Sequence, residues 1–114
     1  MNISRILQGV LLIVLPSVVL AQAPSNFGQA PANQEGDFQC AVASAAEAGV
    51  SPKGSAAHND AMGVYIFYMG RLTIRDEKVR WQDRVAERVL DLRPNARSPE
   101  TYKSCRVYYE NSLL

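Results

Sequence analysis

The chain has 114 residues, 12 Lys and Arg against 11 Asp and Glu, one histidine and two cysteines. This balance gives no cationic surplus with which to displace the counterions of a nucleic acid. A single histidine also excludes metal chemistry assembled from several imidazoles.

Residues 1–21 read as an export signal. Arg5 and the chain amine come first, an apolar run covers 6–15, and Pro16-Ser17 and small residues lead up to Ala21. Cleavage after Ala21 or after Ala23 fits the small-residue pattern. The second would place Pro24 next to the cut, where its fixed φ and missing N–H suit a protease badly, so Gln22 is the favoured mature start. As a membrane anchor the run is short: residues 6–20 are interrupted by Gln8, Gly9 and Pro16, whereas a span needs about 20 apolar residues. Removing Arg5 leaves 11 basic and 11 acidic side chains, a near-neutral mature chain.

Residues 22–36 (QAPSNFGQAPANQEG) hold one large apolar side chain, Phe27. Such a composition buries too little to offset its ordering entropy and reads as a flexible leader. Residues 37–114 then form one domain, of a size at which the core alone gives slender stability. A Cys40–Cys105 bridge is the one intrachain pairing available, and export puts it where disulfides persist. A redox-active pair or an intermolecular bridge are the alternatives; no C-x-x-C spacing supports the first.

The expected fold is all-α, a small four-helix domain stapled by that disulfide. The first helix covers 38–48, with Asp37 as its cap, Gly49 as a left-handed terminator, and Phe38, Ala41, Val42 and Ala45 inward. Ser51-Pro52-Lys53-Gly54 is turn chemistry. The second covers about 55–72 and is apolar on every side around Met62–Met69, the mark of a buried helix. Within it Ala56, Gly63 and Gly70 recur every seven residues. Glycine inside a helix costs about 1 kcal/mol relative to alanine, so the stripe reads as close packing against a neighbouring helix, with a ligand groove as the alternative.

Residues 73–75 read as a connection, and Asp76 as the cap of a third helix over about 77–92. Val79, Trp81, Val85, Ala86, Val89 and Leu92 form its inward stripe. Its outside carries the rows Arg80-Arg84-Arg88 and Asp83-Glu87-Asp91, a solvated charged face or a docking surface. Pro94 closes it. Ser98-Pro99-Glu100 then opens the fourth helix, over 99–111, with Tyr102, Cys105 and Tyr109 sharing one face.

Chemistry-bearing constellations are sparse. His58 and Met62, four apart, offer only a two-ligand match to a soft metal, with no C-x-x-C-H beside it. Glu77, Asp83, Glu87 and Asp91 point outward, away from the burial that perturbs paired carboxylates. The reading is therefore no catalytic residues, no cofactor and no metal site.

Phe67-Tyr68-Met69-Gly70-Arg71-Leu72, followed by the charged third helix with Trp81 and then Cys105, resembles small exported helical proteins of proteobacteria with a similar F-Y-x-G-[RK]-L stretch between two cysteines. The likeness spans about residues 40–105 and implies export, helices and a disulfide, without an activity. It makes Gly70 and Arg71 look like fixed points, Gly70 as a packing position. Arg71 reads as an exposed charge favourable to the helix C-terminus, with a buried hydrogen-bonding arginine as the alternative. The expected function is a non-enzymatic interaction or structural module of the cell envelope, with an envelope protein as partner, no nucleic acid and no stable membrane insertion. The alternatives are a periplasmic acid-stress chaperone of the HdeA type, whose mature carboxylates would neutralise in acid and loosen the bundle by self-repulsion, and a small-ligand-binding protein. The residues do not set an oligomeric state.

Overall fold

A computed structural model describes residues 33–114, which form four helices: α1 (Gln34–Val50), α2 (Ala56–Arg75), α3 (Trp81–Leu92) and α4 (Pro99–Ser112). The expected signal at 1–21 and residues 22–32 of the expected leader lie outside the described residues. The remainder of that leader is corrected. Asn33 caps α1 by accepting the Gly36 amide at 2.8 Å, so Gln34, Glu35 and Gly36 are helical. Glu35 and Asp37 then fall in the first turn, where the helix dipole favours acids.

The helix at the centre is α1, which meets each of the other three. Asp37, Phe38, Cys40–Ser44, Ala46 and Ala48 are all buried along it. Its alanines and Ser44 make this possible, because small side chains let three neighbours approach one backbone. The buried Ser44 hydroxyl donates to the Cys40 carbonyl at 2.7 Å and so carries no unpaired donor.

The expectation that the second helix is buried all round is overturned. α2 buries one stripe, Ala61, Val64, Tyr68 and Leu72, each at 0% exposure, while Ile66 and Ile74 stand 62% and 86% exposed. It is a two-faced helix whose outer face meets none of the other described helices. Residues 73–75 belong to it and not to a connection.

Two boundary expectations are also corrected. Gly49 lies inside α1, and among the described glycines only Gly54, in the following loop, has positive φ (85°). Asp76 terminates α2 and does not cap α3. Its carboxylate accepts the Lys78 amide at 3.0 Å and its carbonyl accepts Trp81 Nε1–H at 2.9 Å, which holds the link until α3 opens at Trp81. Trp81 packs on Phe38, ring centroids 6.1 Å apart. At the other junction α4 begins at Pro99 as expected, although the Ser98 hydroxyl donates to Thr101 Oγ1 and does not cap the backbone.

Cys40 and Cys105 are bonded, joining α1 to α4. Beside the bridge, the Tyr68 hydroxyl donates to the Cys105 carbonyl at 2.8 Å and brings α2 to the same point. Burial pushes the Tyr68 hydroxyl well above the ordinary tyrosine range, and burial raises Tyr65 and Tyr102 in the same direction. An unfolded chain releases these protons near about pH 10, while the folded protein keeps them. Above that pH the unfolded state binds fewer protons, so stability falls as pH rises. Urea unfolding between about pH 8 and about pH 11 is expected to show this decline, with a shallower slope for Tyr68→Phe.

Candidate functional site

Three features of the described surface bear on what the molecule can do. The first is a clamp between α1 and α2. Asp37, fully buried, accepts Arg71 Nε–H through Oδ1 at 2.7 Å and Arg75 Nε–H through Oδ2. Arg71 and Arg75 are four apart, so one face of α2 delivers both. This corrects Arg71 as a free-standing helix-end charge: its guanidinium is part-buried against Asp37 and lies over the Tyr108 ring, 5.5 Å from its centroid. Burial alone would lower the Arg71 pKa, yet its hydrogen bond to Asp37 and that carboxylate's charge raise it. Both Asp37 oxygens are used within the fold. The cluster is a structural tie.

The second feature is the small-residue stripe of α2. Gly63 faces α4, where an added Cβ would stand 3.0 Å from the Tyr109 hydroxyl oxygen. Ala56 and Gly70 are exposed, and a Cβ at Gly70 would meet nothing within 4 Å. The stripe is thus not a continuous packing seam: the bundle uses one position of three. Alanine at Gly70 therefore recovers helix propensity without a clash, and Gly70→Ala is expected to stabilise the isolated protein by up to about 1 kcal/mol, read as a higher urea midpoint at unchanged slope.

The third feature was not found from the sequence. On the side of the bundle where α3 lies across α1 and α2, two shallow clefts of about 370 and 320 Å³ abut, sharing Ala45 of α1 and Tyr65 of α2. The larger is also lined by Gln82, Val85, Ala86, Val89 and Leu90 of α3 and by Arg93 just after it. The smaller is also lined by Ala48 and Gly49 of α1, Ser51 and Lys53 of the following loop, and His58 and Met62 of α2. Val89 and Tyr65 are only partly covered, and Leu90 is 57% exposed. His58 Nδ1 lies 3.0 Å from the Ala48 carbonyl oxygen, so the tautomer with the proton on Nδ1 donates there and steadies the rim. The sequence does hold a signal for this groove, since Gln82, Ala86, Val89 and Arg93 follow helical spacing on one side of α3.

Of two further clefts that touch Phe38, one is also largely apolar, lined by Val42, Ala43, Leu92 and Ala96 with Arg88. The other, beside the start of α1, is lined by Phe38 and Trp81 together with Glu35, Arg84, Glu87, Arg88 and Asp91. Of the two charged rows on α3, Arg80 and Asp83 form an ion pair at 2.7 Å, both well exposed, and such surface pairs add little stability. Arg88 lies over the Phe38 ring, 5.4 Å from its centroid. Near the fourth helix, Arg97 makes two bonds of 3.0 Å to the Glu47 carboxylate and fastens the α3–α4 link to α1.

Among the described residues, no group of three or more His, Cys, Asp or Glu could hold a metal ion, and no helix is long and apolar enough to cross a membrane. The molecule these features define is a small all-α domain, closed by one disulfide, with a shallow apolar groove on one side. No family model, curated protein or solved structure matches the chain.

Proposed function

We propose that the protein is a non-enzymatic interaction module of the cell envelope, exported by the signal at residues 1–21 and docking another protein in the groove over Ala45 and Tyr65. One observation carries this reading. The groove is a row of partly exposed apolar side chains from three helices, held in place by a core that is otherwise closed and cross-linked. Contiguous exposed apolar surface on a small domain marks an interaction site more often than a chance exposure. The disulfide supports a location outside the reducing cytoplasm.

A photo-crosslinking side chain placed at Leu90, in cells of the native host, tests the reading. It is expected to give a reproducible adduct of defined mass in the envelope fraction, absent when the same group replaces Lys103, exposed on α4. Absence of any adduct from Leu90, or fractionation of the protein with the cytoplasm, would refute it.

A further inference from the structure

We infer that residues 22–32 fold back along α1 and seat the Phe27 ring in the apolar cleft lined by Val42, Ala43, Leu92 and Ala96. This cleft shares no residue with the groove over Ala45 and Tyr65, so the inference does not rest on the docking function proposed above. It continues the cleft beside the start of α1. Both contain Phe38 and Arg88, and along α1 the lining runs in order from Gln34 and Glu35 through Phe38 to Val42 and Ala43. On α3 the order repeats, from Arg84 through Arg88 to Leu92. The rise of a helix turns this order into distance: one furrow leads from the point where residue 32 joins α1 to an apolar end about 14 Å further along it.

The segment that arrives at this furrow carries a side chain that its far end fits. Phe27 is the one large apolar residue of 22–32. The seven residues from it to Gln34 reach up to about 24 Å when extended, which leaves length to reverse direction, and Gly28 and Pro31 supply turn chemistry within that stretch. The apolar cleft holds about 150 Å³, the size of a cavity that takes one benzene ring. Such a ring covers Leu92, which is 42% exposed. Arg88 lines the cleft while lying over the Phe38 ring, and a guanidinium favours an aromatic neighbour over an aliphatic one. The residues on either side of Phe27 in 22–32 are uncharged, which suits a wall that sets Glu35, Glu87 and Asp91 beside Arg84 and Arg88; Gln29 both donates and accepts, and pairs with either sign. A short tether also gives its end an effective concentration of about a millimolar, which an outside segment offering one ring does not match. Closed in this way, the cleft leaves the groove over Ala45 and Tyr65 as the apolar surface open to a partner.

The test exposes the purified, oxidised mature chain from Gln22 to dilute chymotrypsin and times the cut after Phe27 by mass spectrometry, against the same cut in a synthetic peptide of residues 22–33. The protein is expected to be cut about tenfold more slowly, because a docked ring must leave the cleft before it is cleaved. Ala96→Glu and, separately, Leu92→Asn put a polar group on the cleft and should bring the rate to within about twofold of the peptide. Both positions are at least partly exposed, so each variant keeps the helical circular dichroism of the parent. In carbon-edited NMR spectra the Phe27 ring is expected to show nuclear Overhauser contacts to the Val42 and Leu92 methyl groups, lost in Phe27→Ala.

Cleavage at the peptide's rate overturns the inference. So does protection without those contacts, or with contacts to Met62 and Leu90 of the other groove in their place. Protection that disappears on about a hundredfold dilution means that the segment of a second copy fills the cleft, and overturns it too. Failure of the Leu90 adduct in cells refutes the docking function and leaves the protection of Phe27 untouched, so the two readings fail separately.

Discussion

Replacing Cys40 and Cys105 together by serine is expected to lower the unfolding free energy by about 4 kcal/mol. The two residues are 65 positions apart, and the chain-entropy model assigns about that much to cross-linking a loop of this size, chiefly by restricting the unfolded chain. For a domain of this length the total stability is itself only several kcal/mol. The reduced protein should therefore sit close to its unfolding midpoint at ordinary temperature. The loss is not confined to the unfolded state: α4 touches α1 and α2 around Cys105, where the Tyr68 hydroxyl bonds the Cys105 carbonyl, so loosening α4 also exposes a buried tyrosine hydroxyl. Urea unfolding of the oxidised protein and the double serine variant measures the difference. The slope should rise in the variant, because an untethered chain exposes more surface. A loss below about 1 kcal/mol would mean that strain in the bridge cancels its entropic gain.

That bridge and the fourth helix were legible in the sequence because their signals are local or need only counting. Ser98-Pro99-Glu100 marks a helix start by backbone chemistry alone, and a sequence with two cysteines offers one intrachain pairing. The arrangement of the helices was less legible. The run from Met62 to Met69 looks fully buried by composition, but Ile66 faces outward, on the side of α2 that none of the other described helices covers. The central position instead belongs to α1, whose alanines carry little hydropathy signal and matter for their size. The same limit applies to Ala56, Gly63 and Gly70. Seven-residue spacing places them on one face, and only the fold decides that Gly63 alone meets another helix, through Tyr109.

The groove was hidden for a related reason. Its residues come from α1, the loop after it, α2, α3 and the residue after α3, so a local window shows at most the part that α3 contributes. What the sequence did contain was the pairing of Arg71 with Arg75 at four-residue spacing, after an apolar run on the same helix. Two cations on one face of such a helix signal a buried acid, and Asp37 was passed over because it also satisfies the rules for a helix cap.

Asp37 is where the second large effect is expected. Its carboxylate is wholly buried and both oxygens accept a guanidinium N–H, so substitution by alanine removes the acceptor that both Nε–H groups use and the negative charge between two cations. Removing one partner of a buried ion pair typically costs about 3–5 kcal/mol. Here the cost should lie near the lower end, about 3 kcal/mol, since the arginine side chains are 25% and 31% exposed and can regain water. Asp37→Asn keeps the shape and one accepting oxygen, and is expected to cost about 2 kcal/mol, the scale of a hydrogen bond to a charged group lost in a buried setting. Between the cations, Arg71→Ala should cost more than Arg75→Ala, because Arg71 also lies over Tyr108 and its loss removes that contact between α2 and α4. A double-mutant cycle between Asp37 and each arginine separates these terms; coupling of at least about 1 kcal/mol is expected for both pairs, as is usual for contacting members of one network. If Asp37→Ala unfolds within about 0.5 kcal/mol of the parent, the clamp contributes nothing to holding α1 against α2, and the packing of Phe38, Leu72 and Trp81 around it must suffice.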